Sequence, residues 1–187
     1  LYPRFRDSVR RELERHPPAV TEFHQGLSPL QKEIQNAIAA AVQSCIRELK
    51  ASTTMITWND TELSVENCVT TNFDRTISRQ LEHDWHRLKP QTKQLVQDLR
   101  TLRTLFQSLI QYDCISFWKL INSIRTMSAA SRNPSMWLLT PAADMLFRKA
   151  KERVYKIVRQ QPTEQVPQPV AVLKPVLEEN LKWKLLR

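Results

Sequence analysis

Six basic residues, Arg148, Lys149, Lys151, Arg153, Lys156 and Arg159, crowd into the stretch 148–159 with a single acid, Glu152, among them. Cations spaced this way along a helix can meet successive phosphates of a nucleic-acid backbone. An isolated basic stripe is more ordinarily a solvated helix face. The charge of the whole chain brings a polyanionic partner level with that reading, because 28 Lys and Arg stand against 19 Asp and Glu, a formal net charge of +9. Lys93, Arg100 and Arg103, together with Lys89, form a second basic set along the face of their helix opposite its leucines. Arg6, Arg10, Arg11 and Arg15 form a third.

Aromatic rings offer a second route to nucleic acid, since unpaired bases stack on any exposed ring. Trp85, Trp118 and Phe106 fall in apolar stripes at helical spacing and are expected in the core. Trp58, Trp137 and Trp183 lie outside those stripes and are candidates for ligand or partner contact, with Met136 and Trp137 together suggesting an apolar docking groove for a protein. The two readings belong to different classes, DNA binding and protein docking, and the residues alone leave both open.

Catalysis finds no carrier. Carboxylates are dispersed, and no Ser, His and acid set is brought together locally. His83 and His86, three apart, could share a metal on one helical face, but few ligand-type partners lie nearby, so a polar helix edge beside Trp85 is the plainer reading. Glu-x-x-His repeats of a di-iron bundle are absent. Gly26 is the single glycine, which excludes glycine-cradled phosphate loops and dinucleotide folds. No cofactor is therefore expected in this segment. Cys45, Cys68 and Cys114 are odd in number, widely spaced and set in apolar patterns, which fits reduced core thiols and an intracellular setting. No run approaches the roughly 18 apolar residues of a spanning helix, and no membrane partner is expected. Leu1 is not methionine and the opening residues are helix-like rather than signal-like, so a piece of a longer polypeptide is expected.

The elements that would position these groups are helical throughout. Pro3 and the stripe Phe5, Val9 and Leu13 predict an amphipathic helix over 3–16, ended by Pro17 and Pro18. Ser28, Pro29 and Gln31 predict a capping box, followed by Leu30, Ile34, Ile38, Ala41, Cys45 and Leu49 on one face; the run Ala39 to Ala41 lets another helix approach closely. Periodicity lapses over 51–72, where a loop with one short turn near Val65 to Val69 is expected. Asn72 should cap a helix carrying Phe73, Ile77, Leu81, Trp85 and Leu88. The broad stripe Leu95, Leu99, Leu102, Phe106 and Leu109 marks a central helix. Asp113 should cap a helix buried on several sides, given Ile115, Phe117, Trp118, Leu120, Ile121 and Ile124. Thr140-Pro141 opens a helix running to 159 with Ala143, Leu146, Ala150, Val154 and Ile157 inward. The prolines at 162, 167, 169 and 175 predict an extended linker. The organisation expected is an all-α bundle of about five to seven helices over 1–160, a Pro-rich linker over 161–175 and a short helix within 176–187.

The residues themselves resemble the XPF family of structure-specific DNA repair endonucleases. The resemblance runs through Tyr2-Pro-Arg-Phe5, Ser28-Pro-Leu-Gln-Lys-Glu-Ile34, Phe73-Asp-Arg-Thr-Ile77 and, above all, the stretch Thr92 to Arg125, TKQLVQDLRTLRTLFQSLIQYDCISFWKLINSIR; Glu179-Asn-Leu-Lys-Trp-Lys-Leu185 looks like the lead into a second helicase-like lobe. It is weakest at 51–62, 126–140 and 158–175. It implies the helical domain inserted between helicase-like lobes that have lost their ATPase motifs. The parent would be a nuclear, heterodimeric enzyme that cuts junctions of double- and single-stranded DNA in nucleotide excision and crosslink repair. Its smaller partner subunit would bind through other domains, and a repair scaffold is a further implied partner. The family's Glu-Arg-Lys signature and metal-binding acids, which would use a divalent metal such as Mg, lie in a later domain; here Glu152-Arg153 is followed by Val154. No catalytic residue is therefore expected in this chain, which would help bind branched or single-stranded DNA.

Overall fold

A computed structural model describes residues 5–17, 19–58, 63–70, 72–159 and 171–186, the side chains at 159, 171 and 172 excepted. Among them are seven α-helices: α1 (Asp7–Arg15), α2 (Pro29–Ser52), α3 (Phe73–Leu81), α4 (Pro90–Gln111), α5 (Cys114–Ala129), α6 (Pro141–Val154) and α7 (Leu181–Leu186). Two strands, β1 (Tyr155–Arg159) and β2 (Ala171–Pro175), pair antiparallel, and short 3-10 turns fall at Asn67–Val69, Trp85–Arg87 and Met136–Leu139. The fold is thus mostly helical, as the periodicity predicts.

Local chemistry sets several helix starts. The Ser28 backbone N–H donates to Gln31 Oε1 at 2.9 Å while Gln31 N–H donates to Ser28 Oγ at 3.1 Å, the reciprocal capping box, with Pro29 in the first turn. Asp113 accepts from the N–H groups of Ile115 and Ser116 to open α5, and Thr140 Oγ1 accepts from Ala143 N–H to open α6. Asn72 makes no side-chain cap bond to α3, contrary to expectation.

The core lies where α2 packs against α4 and α6, with α5 laid along α6. Ile34, Ile38 and Val42 of α2 and Leu99, Leu102 and Leu105 of α4 belong to one buried cluster with Phe73, Ile77, Phe117, Ile121, Leu146 and Ala150. Ala37 and Ala41 line the buried face of α2, so little side-chain bulk holds the neighbouring helices away.

Four expectations are corrected. Helix α1 buries none of its residues, and Phe5 is 91% exposed. Helix α3 stops at Leu81, four residues short of Trp85, which sits in a 3-10 turn and is 40% exposed rather than in the core. Helix α5 buries one face only, through Cys114, Phe117 and Ile121; Trp118, Leu120 and Ile124 are half-buried and Ile115 is exposed. Finally, the sixth long helix ends at Val154, not 159. Residues 155–159 form β1, whose partner is the segment 171–175 expected to be linker, with Ile157 opposite Leu173 and Val158 opposite Val172. β-branched residues on both strands favour this pairing over further helix. Ile157 therefore turns outward, 67% exposed. The rest of the expected linker, 161–170, lies outside the described residues.

A candidate nucleic-acid interface

The basic face of α6 divides into groups that point different ways. Arg148 and Lys151, three apart and so on one side of the helix, are exposed, as is Lys156 just beyond its end. Arg148 donates to Met145 Sδ at 3.0 Å. None of the three has an ion-pair partner among the described residues. Lys149 is committed instead: its ammonium lies 2.9 Å from the carboxylates of Glu33 and Glu152. Those two carboxylates, Glu33 first, hold its pKa above the ordinary lysine value. The Arg159 side chain lies outside the described residues.

Arg153 is the main correction within this set. It is 2% exposed, its Nε donates to the Glu178 carboxylate, and its guanidinium lies 5.9 Å from the centre of the Phe117 ring. It therefore belongs to the core rather than to the outer basic face. Ala150 and Arg153, three apart, share the inward side of α6, so the helix period carries the long side chain between α5 and the returning chain. Leu177, at φ 51°, turns the backbone so that Glu178 N–H donates to Arg153 O at 2.9 Å and its carboxylate reaches the guanidinium.

The second basic set is largely internal scaffolding. Arg103 pairs with Asp74, Arg100 Nη2 donates to Ser78 Oγ at 2.9 Å, and the Lys93 ammonium lies 5.5 Å over the Trp85 ring. These bonds tie α4 to α3 and to the Trp85 turn. In the third set, Arg10 pairs with Glu14 and Arg15 with Glu12, all on the exposed face of α1.

Arg148, Lys151 and Lys156 share one feature that sequence reading missed. With Glu152 they rim a groove of ≈ 620 Å³ whose floor is made by Leu30, Tyr155, Ile157, Leu173 and Val176. Tyr155 and Ile157 alternate onto one face of β1, opposite Pro175 and Leu173 of β2. The alternation Tyr155-Lys156-Ile157 and its echo Leu173-Lys174-Pro175 were the available signal.

The expected docking pair also separates. Met136 is exposed at the edge of a cavity of ≈ 160 Å³ lined by Gln94, Leu95 and Asp98 among others. Trp137 is 3% exposed and part of the core cluster, which corrects its assignment to a docking surface: its 3-10 turn packs against α6 and swings the ring inward. Beneath the cavity Asp98 is 2% exposed; its Oδ1 accepts from Ser135 Oγ at 2.6 Å and Gln94 Nε2 at 2.9 Å, while Oδ2 is buried without a partner among the described residues.

Burial pushes the Asp98 carboxyl up from its usual value, against the pull of those two hydrogen bonds. The folded chain thus holds this proton more tightly than the unfolded chain. The contribution to stability is present at low pH and is lost as pH rises through the unfolded and then the folded pKa. Asp98→Asn retains both accepted bonds and removes the buried charge. It is expected to raise the thermal midpoint at neutral pH, with the gain fading as the pH falls and Asp98 takes up its proton; a midpoint lowered at neutral pH would show that the charge is compensated.

His83 and His86 are exposed, and among the described residues no group of three or more His, Cys, Asp or Glu could hold a metal ion. Cys45, Cys68 and Cys114 are free and buried, and burial pushes the Cys45 and Cys68 thiols up to about 12, so neither carries appreciable thiolate at neutral pH. No described helix is long and apolar enough to cross a membrane.

No family model matches the chain. It is 38% identical over 192 residues to the DNA repair endonuclease XPF of Cricetulus griseus and 39% identical over 196 residues to the DNA repair protein rad16 of Schizosaccharomyces pombe; each comparison covers all of this chain and 21% of the relative. Against the DNA repair endonuclease UVH1 of Arabidopsis thaliana it is 40% identical over 159 residues, 85% of this chain and 16% of that one. The chain spans about a fifth of the length of the curated relatives it matches.

Proposed function

As a homologue, over its whole length, of one segment of the XPF-type DNA repair endonucleases, the chain is, we propose, a non-catalytic helical domain that binds branched or single-stranded DNA and positions a nuclease carried elsewhere in the parent protein. The observation that carries this reading is the trio Arg148, Lys151 and Lys156, three cations without ion-pair partners among the described residues, all lining one groove in a chain of net charge +9. Each can neutralise a backbone phosphate, and each phosphate neutralised releases condensed counterions. Helix α6 is braced by α2 and α5, so the trio is presented on a rigid support, which limits the ordering cost of binding.

Nuclear residence, a smaller partner subunit and action in nucleotide excision and crosslink repair belong to the same proposal. The divalent metal expected of such a nuclease finds no fitting cluster among the described residues here. Titrating the chain with a labelled splayed-arm DNA and a matched duplex tests the reading, which requires binding to the splayed arm that is tighter than to duplex.

A second reading, a protein-docking module, rests on Met136, exposed beside the cavity over Asp98. Its probe is Met136→Ala, because Trp137→Ala would empty part of the core. Loss of partner capture with DNA affinity unchanged would favour docking.

A further inference from the structure

The groove beside the hairpin combines two kinds of surface. Its floor is apolar and includes one aromatic ring, Tyr155, with Ile157 and Leu173 facing outward beside it and more than a third exposed. Its rim is cationic, three positive charges against the single acid Glu152. A wholly apolar partner would leave those cations facing it unpaired, and a plain phosphate would leave the apolar floor wet. An occupant that satisfies both is apolar in one part and anionic in the next. A single strand of DNA is built that way: each base has a π-face and each base is flanked by phosphates.

We propose that this groove holds an unpaired base of single-stranded DNA, stacked on Tyr155 over the floor of Leu30, Ile157 and Leu173, while Arg148, Lys151 and Lys156 hold the flanking phosphates. The inference rests on the DNA-binding reading above and deepens it, naming the part of the DNA that this site takes. The groove's ≈ 620 Å³ lies within the range of small-ligand sites, roughly 300–1,000 Å³, and so has room for a base. Duplex DNA keeps its bases stacked inward and can offer this site only phosphates, so the groove discriminates between strands and duplex where the basic rim alone would not. Lys149, held by Glu33 and Glu152, and Arg153, held by Glu178, are already occupied and take no part.

The test uses the 187-residue chain, a labelled deoxythymidine oligomer, the same oligomer with its bases removed, and a duplex of equal length, compared by fluorescence anisotropy at one low salt concentration. Removing the bases should weaken binding to the unmodified chain by roughly fivefold to a hundredfold, the range of base stacking on an aromatic ring. Tyr155→Ala should erase most of that difference and leave duplex affinity unchanged, while Tyr155→Phe should preserve it. The comparison of oligomers needs no variant, so it holds even if Tyr155→Ala disturbs the hairpin. Equal affinity for the two oligomers would overturn the base site and leave the phosphate-binding reading standing. No binding to any DNA would overturn both. An acidic, leucine-containing peptide that binds more tightly than the oligomer and displaces it would assign the groove to a protein partner and overturn the proposal.

Discussion

Replacing Arg153 by alanine is expected to cost about 3–5 kcal/mol of folding stability, the usual consequence of breaking a buried ion pair by removing one partner. The side chain is fully enclosed, paired with the partly buried Glu178 and packed near the Phe117 ring. Its loss leaves a carboxylate without its partner and a cavity between α5 and the returning chain. Glu178→Ala attacks the same pair from the other side and strands a guanidinium whose Nη1 already lacks a partner among the described residues. Such pairs are weak evidence for net stability, because the desolvation of both charges offsets most of their attraction. The double change Arg153→Met with Glu178→Leu should therefore recover most of what either single change loses. Denaturant unfolding of the three variants reads the result. If Arg153→Ala costs less than about 1 kcal/mol, the pair is not what fastens residues 176–178 to α6, and the backbone bonds from Val176, Leu177 and Glu178 to Val154 and Arg153 must carry that attachment alone.

Reversing Arg148, Lys151 and Lys156 to glutamate should lower affinity for single-stranded or branched DNA by at least about a hundredfold near 0.15 M salt, and by more as salt is reduced, since each lost phosphate contact removes its share of counterion release. Helicity should not change, because all three side chains are exposed and bear no ion pair among the described residues. Lys149→Glu is the informative contrast. It sets a new acid against Glu33 and Glu152 and should act on stability, through the α2 to α6 contact, before it acts on DNA. Arg103→Ala behaves similarly, through Asp74. Full DNA affinity in the triple variant would move the interface off α6.

What could be read in advance, and what could not, follows the range of the interactions. The starts at Ser28, Asp113 and Thr140 are set by bonds to residues two or three positions away, so the local sequence contains both partners. The hairpin does not have that property: the segment pairing with Tyr155–Arg159 lies beyond residue 170, and Val154 and Ile157, three apart, continue the helical spacing of the residues before them. The burial of Trp137 escapes sequence reading for a different reason, since a four-residue 3-10 turn has no periodicity from which burial can be inferred. Arg153 is different. Its place, three residues after Ala150 on the inward side of α6, was legible from the helix period, but its charge argued for solvent. Only Glu178, reached through the turn at Leu177, makes an inward arginine tolerable. The groove's floor depends on the hairpin: the alternation at 155–157 is local, but only the pairing with 171–175 assembles the floor.

The central claim, that this helical domain engages DNA through the cations on α6 and β1, is tested most directly by the salt dependence of binding to a splayed-arm DNA, measured alongside a matched duplex. With three phosphates engaged, log affinity should fall against log salt with a slope of about −2.7 for a duplex-like site, somewhat shallower for a single strand, and the splayed arm should bind more tightly at every salt. No binding at low salt, or a slope near zero, would contradict the account.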